Sequence, residues 1–179
     1  MRILRIILIA LAILLLVGVI ATFSMSEDYH FEKSIDIAAT PEQVYPHISS
    51  TKAFNEWNPW LQLDPDMHME YHGVQGSVGD RYCWESQKDD AGAGCQEITA
   101  LVPNEKQSTR MEFKRPFEDV ANSDIILTTN AQGTTVTWTL DSKLERPMNL
   151  MAVFMSSQMD KSYGQGLSRL KQIVENEKR

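Results

Sequence analysis

The chain has two cysteines, four histidines and four tryptophans from which chemistry could be built. Cys83 lies in "RYCWE" and Cys95 in "GCQEITAL", stretches that alternate as strands do. Setting the two cysteines opposite each other in a hairpin also sets Arg81 against Glu97 and Trp84 against Gly94. An opposite-charge pair and an indole over a bare backbone both suit that register. A disulfide is then reasonable outside the cytoplasm, with two free thiols as the alternative. No histidine has a place beside either sulfur, so a cysteine nucleophile is not indicated. "HMEYH" puts His68, Glu70 and His72 on one strand face. At roughly 3.3 Å per residue the two histidines are ~13 Å apart, too far to share one metal ion. "GVQGSVG" (Gly73 to Gly79) has neither a Lys-Ser/Thr pair nor a following helix, so it reads as a turn and not a phosphate loop. There is no G-x-S-x-G or H-E-x-x-H, and no metal or cofactor is implied.

The elements that would position these residues follow from periodicity and punctuation. "FEKSIDIAA" alternates as a first strand. "TPEQVYPHI" starts a helix, with Thr40 as cap, Pro41 in the first turn and Gln43 at box spacing. Pro46 keeps it short. "STKAFNEW" is a second short helix capped by Ser50 or Thr51. Six alternating segments follow, over residues 67–72, 80–86, 95–102, 108–114, 123–129 and 134–141, separated by turn signals. A helical pattern from Pro147 to about Glu177 closes the chain, with Leu150, Met151, Phe154, Met155, Met159, Tyr163, Leu167, Leu170 and Val174 as its apolar positions. Strand parity places Tyr82, Trp84, Ile98, Met111, Phe113 and Trp138 on the face that the helix must cover. Little that titrates is left on that face apart from Tyr82, which argues against acid–base catalysis; Gln96 is a possible orienting group.

Residues 6–23, "IILIALAILLLVGVIATF", carry no charge. A helix of that length just crosses a hydrocarbon core of ~30 Å. Arg2 and Arg5 precede it and Glu27 and Asp28 follow, which puts the N-terminus in the cytoplasm and the remainder outside. A cleaved signal peptide is the rival reading, with Val19-Ile20-Ala21 as a passable site. The expected organisation is an anchor over 1–23, a linker over 24–30 and one domain over 31–177. Without Arg2 and Arg5, 15 basic residues face 24 acidic ones, a net charge of −9. Nucleic acid and anionic lipid are therefore poor partners for the domain itself.

Several stretches together resemble a known family: "PEQVY" at 41–45, "EWNPW" at 56–60, "LDPDM" at 63–67, "YHGVQGSVGDRYCWE" at 71–85, "GAG" at 92–94, "FKRPFE" at 113–118, "GTTVTW" at 133–138 and "GLSRLK" at 166–171. The chain resembles the SRPBCC/START-like superfamily, and within it the bacterial membrane-anchored proteins described as polyketide cyclase/dehydrase-like. The resemblance implies an α+β helix-grip fold, an antiparallel sheet of about seven strands around a long C-terminal helix. It also implies a hydrophobic cavity between sheet and helix.

The expected activity is binding of a hydrophobic small molecule or lipid by a single-pass protein of the inner membrane whose domain lies in the periplasm. A cyclase- or hydrolase-like enzyme, or an interaction domain with a filled cavity, are the alternatives. Besides the six strand residues, Trp60 and the methionines Met151, Met155 and Met159 are expected at the cavity, since methionine adapts to ligand shape. In "FNEWNPWLQLDPDM" Trp57 is expected to close the core, with Trp60 at the pocket rim on a loop stiffened by Pro59 and Pro65.

Overall fold

The computed structural model describes residues 2–177. An apolar helix α1 (Arg2–Ser24) is followed by strand β1 (Asp28–Ile37) and two short helices, α2 (Pro41–Val44) and α3 (Thr51–Trp57). Six strands come next: β2 (His68–His72), β3 (Arg81–Glu85), β4 (Ala93–Val102), β5 (Lys106–Arg115), β6 (Asp119–Asn130) and β7 (Gly133–Lys143). A 3-10 turn (Met148–Met151) leads into the closing helix α4 (Ala152–Glu177). All neighbouring strands are antiparallel, in the order β1-β7-β6-β5-β4-β3-β2. This is the expected helix-grip arrangement.

The local chemistry explains the short helices. The Thr40 amide donates to Gln43 Oε1 at 3.1 Å, and α2 stops at Val44, two residues before Pro46. Ser50 caps α3 by accepting from the Ala53 amide at 3.1 Å. The buried Asp80 holds this helix against the turn before β3. Its carboxylate accepts from the Thr51 amide (3.0 Å), the Thr51 hydroxyl (2.6 Å) and the Gly76 amide (2.8 Å).

Helix α4 buries Tyr163, Gly166, Leu167, Leu170 and Val174 against the concave face of the sheet, a stripe of helical spacing. Leu167 and Leu170 are at most 1 % exposed, and burying each contributes about 1.5–3 kcal/mol. Gly166 permits the closest approach, since a Cβ there would lie 3.1 Å from both Pro59 Cδ and Trp138 Cζ3.

Cys83 and Cys95 are bonded across the β3–β4 hairpin, with Cα atoms 4.0 Å apart. The register also pairs Arg81 with Glu97 and Trp84 with Gly94.

Two boundaries differ from expectation. Strand β1 begins at Asp28, inside the segment read as linker, because β7 runs on to Lys143 and supplies partners for Asp28, Tyr29 and His30. The first turns of the C-terminal helical region do not cover the sheet: Met151 is 45 % and Phe154 72 % exposed. The Tyr29 and Ser156 hydroxyls lie 3.4 Å apart, so the helix already reaches the second residue of β1 at Ser156. Before Ser156 the chain turns Met151, Val153 and Phe154 outward, while Ala152 and Met155 still pack at the edge of the core.

The register also defines two ends. Asp28, His68, Glu85, Ala93, Arg115 and Lys143 lie at one, with the β3–β4 and β5–β6 turns and the β7–α4 connection. Helix α1 joins there. The β2–β3, β4–β5 and β6–β7 turns lie at the other.

Candidate functional site

A cavity of about 230 Å³ lies between the concave face of the sheet, the loop after α3 and helix α4. Its base is a cluster of rings. Trp138 and Tyr163 stack with centroids 3.9 Å apart, and Trp60 meets both edge-on at 5.6 and 5.9 Å. The facing wall carries Tyr82, Trp84 and Phe113, with successive centroids 5.7 and 5.9 Å apart. Met111, Leu140 and Met159 fill the spaces between them. Offset and edge-on packing of this kind suits the ring quadrupoles.

The polar tips of four lining rings, Tyr82, Trp84, Trp138 and Tyr163, are engaged by protein atoms. Trp138 Nε1 donates to Ser123 Oγ at 2.9 Å, and that hydroxyl donates to the Thr139 carbonyl at 2.6 Å. Trp84 Nε1 donates to the Ala91 carbonyl at 3.0 Å, and Tyr163 donates to the Thr139 carbonyl at 3.3 Å. Asn58 Nδ2 donates to the Tyr82 hydroxyl at 3.2 Å, which in turn donates to Gln96 Oε1 at 3.2 Å. Asn58 Oδ1 accepts from the Trp60 amide at 3.1 Å, so Asn58 also caps the 3-10 turn Pro59–Gln62. Gln96 is 5 % exposed and lines the cavity. No hydrogen bond from its amide nitrogen to a protein acceptor occurs among the described residues. Its two N–H groups are unengaged donors on a buried side chain of the wall.

Burial pushes the Tyr82 and Tyr163 phenols well above the ordinary tyrosine value; for Tyr82 the Asn58 hydrogen bond opposes this without reversing it. Both stay neutral near pH 7, as donors rather than bases. The charged side chains at the cavity, Asp90 and Arg115, are exposed and stand at the rim with Met67, Ala91 and Pro116.

The structure brings together Trp60, Tyr82, Trp84, Met111, Phe113, Trp138 and Met159 from the residues expected at the cavity. Three others fall elsewhere. Ile98 faces inward but is fully buried in the core, beyond the cavity along β4. Met151 and Met155 line a separate groove of about 660 Å³ with Pro116, Phe117 and Leu144. Met151 is exposed and Met155 packs at the edge of the core, both beyond the end of the cavity, so helical spacing alone could not place them at it. Trp57 is fully buried, donating Nε1 to the His47 carbonyl at 2.9 Å.

Sequence reasoning missed Asn58, Ser123 and the rim residues Ala91 and Pro116. Asn58 did carry a signal, since asparagine before proline is a helix-cap pattern. His68 and His72 flank Glu70 in the open, at 3.2 and 3.7 Å from its carboxylate. No His/Cys/Asp/Glu group among the described residues is arranged to hold a metal ion.

A family model described as "Polyketide cyclase / dehydrase and lipid transport" matches residues 28–175. The chain belongs to this family. The family sits within the SRPBCC superfamily, and solved structures agree on the fold. A protein from Chromobacterium violaceum, CV1439, is similar with a TM-score of 0.61 at 17% identity, over 82% of this chain and 97% of that one. Ara h 8.0201 is similar with a TM-score of 0.60 at 14% identity, over 83% and 99%. The di-domain ARO/CYC protein StfQ of the steffimycin biosynthetic pathway reaches a TM-score of 0.64 at 10% identity, over 88% of this chain and 53% of StfQ. At such identities the likeness is one of fold. No curated protein matches the chain.

Proposed function

We propose that this family member is a membrane-anchored receptor for a compact hydrophobic molecule with one hydrogen-bond acceptor. The observation that carries this reading is a ring-lined cavity in whose wall the buried Gln96 amide keeps its N–H groups unengaged. A cavity of about 150 Å³ takes up benzene. At about 230 Å³ the space here suits a somewhat larger ring system or the end of a longer molecule, and not a whole phospholipid. The rings supply apolar contact, and Gln96, held by Tyr82 and Asn58, meets a carbonyl or ether oxygen. A family described partly by lipid transport is consistent with such a ligand.

Helix α1 is long and apolar enough to cross a membrane, with a mean hydropathy of 3.2, and 6% of the span is buried within the protein. Retention of that helix, the cytoplasmic side for Arg2 and Arg5, and the outer side for the domain are parts of the same proposal. The Cys83–Cys95 bond supports the outer side.

Native mass spectrometry of the full chain, released from its own membrane, tests the reading. A bound hydrophobic species is expected, and Met159→Trp, which fills the cavity, should abolish it. Absence of binding across a broad panel of apolar compounds, or binding unchanged by Met159→Trp, would overturn it.

The convergence of Asn58, Tyr82 and Gln96 favours one second reading, a cyclase-like enzyme that orients a substrate carbonyl. Turnover of a reactive poly-carbonyl substrate, lost in Gln96→Leu, would favour it over simple binding.

A further inference from the structure

We propose that the end of the domain at which α1 joins is a lipid-docking face, with Phe117, Val153 and Phe154 inserted into the leaflet from which α1 emerges. This rests on the reading of α1 as a retained anchor.

Several independent observations meet at this end. The rim of the cavity is built from Met67, Ala91, Arg115 and Pro116, which the strand register puts at the anchor end of the sheet. Among the described residues, the exposed phenylalanine and methionine side chains outside α1 are confined there too: Phe117 is 69 %, Phe154 72 %, and Met148 and Met151 45 % exposed. Val153 is 66 % exposed. At the opposite end the exposed large apolar residues are Tyr71, Val74, Val78 and Val102. The groove of about 660 Å³ opens among the exposed residues of the anchor end and shares Pro116 with the cavity. The methionine stripe continues from one to the other, Met151 and Met155 in the groove and Met159 in the cavity.

The face is also held in place relative to α1. Asn149, fully buried, donates Nδ2 to the Thr22 carbonyl at 2.7 Å and to the Met25 carbonyl at 3.1 Å. Arg146 Nε donates to the same Thr22 carbonyl at 3.1 Å, and its guanidinium pairs with Glu27 and lies 5.3 Å from the centre of the Phe23 ring. Carbonyls that a helix end leaves open are thus taken up by the β7–α4 connection. These contacts tie the β7–α4 connection directly to the end of α1. When α1 crosses a bilayer, the Phe117 turn and the outward-turned helical segment lie at its surface.

Lipid is the occupant that this placement selects. Attraction to anionic headgroups is not the cause, because Lys143 shares the groove with Glu118, Asp119 and Glu145. Docking is by apolar insertion and is insensitive to salt. A ligand leaving that leaflet meets the groove before it meets bulk water.

The test uses the full chain in phosphatidylcholine nanodiscs. Cys83 and Cys95 are bonded, so a single introduced thiol can carry a spin label. Labels at Phe117→Cys, Phe154→Cys, Leu14→Cys and Asn104→Cys are compared for collision with dissolved oxygen and with a water-soluble nickel chelate. Docking predicts that oxygen dominates at positions 14, 117 and 154, and the chelate at 104, at low and high salt alike. If 14 reads as bilayer while 117 and 154 read as water, the docking face is refuted and the anchor stands. If 14 also reads as water, the anchor reading fails and docking fails with it.

Discussion

The bond between Cys83 and Cys95 offers a prediction whose size follows from its place in the chain. The two residues are 12 apart in sequence and close the β3–β4 hairpin. Cross-linking a loop of that length removes denatured-state entropy worth about 3 kcal/mol at 25 °C. For a domain of this size 1 kcal/mol moves the melting temperature by roughly 2–4 °C. Reduction, or the double substitution Cys83→Ser with Cys95→Ser, should therefore lower the melting temperature by roughly 6–12 °C. Because Trp84 and Gln96 neighbour the two sulfurs and line the cavity, bound hydrophobic ligand should be lost from the reduced protein first. The assay is thermal denaturation followed by tryptophan fluorescence, with and without a phosphine reductant, beside thiol counting under native and denaturing conditions. Two accessible thiols in protein taken directly from the membrane would refute the bond and its support for an extracytoplasmic domain. A confirmed bond whose removal shifts the melting temperature by less than ~2 °C would refute the entropy argument, meaning that the hairpin is already formed in the denatured chain.

Other outcomes can be checked with the same protein. Asp80→Ala leaves three donors of α3 and the β2–β3 turn unpaired, and should cost about 2–4 kcal/mol in urea denaturation with an unchanged slope. Gly94→Ala would set a Cβ 2.6 Å from both the Trp84 ring and the Glu112 carbonyl. It should destabilise the protein by about 1–3 kcal/mol and displace Trp84 from the cavity wall, seen as a changed near-ultraviolet circular dichroism spectrum. The hydrogen bond from His30 Nδ1 to Asp141, at 2.7 Å, raises the His30 pKa above its ordinary value. Any stability from that pair is fully present below pH ~6.5 and is lost as pH rises through the raised value. An NMR titration should show His30 falling toward the ordinary value in Asp141→Asn, and no such fall would reject the pairing.

Much of the sheet was legible because strand chemistry is local and has a period of two. Parity alone put Tyr82, Trp84, Met111, Phe113 and Trp138 on one face, and the Cys83, Arg81 and Trp84 pairings all agreed on a single hairpin register. The caps of α2 and α3 were legible for the same reason, since the groups concerned are three residues apart. Ile98 shows the limit. Its face was readable, but its depth along β4 was not, and depth decides whether an inward side chain meets empty space or packed neighbours.

What the sequence by itself determined is the order of the main elements, the face each strand presents and the register that sets Cys83 opposite Cys95, all products of near-neighbour geometry; that the two sulfurs are bonded came with the structure. Tertiary structure alone decided where the cavity ends and the groove begins. Met151, Met155 and Met159 share one helical stripe, yet the first two fall in the groove at the end of the sheet and the third lines the cavity. It alone also put Asn58, Tyr82 and Gln96, far apart in the chain, into one hydrogen-bonded line. It set Arg146 and Asn149 on the Thr22 carbonyl near the end of α1, more than a hundred residues earlier in the chain. Contacts of that separation leave no periodic trace in sequence, because each depends on how strands of unequal length end beside a helix that outruns them.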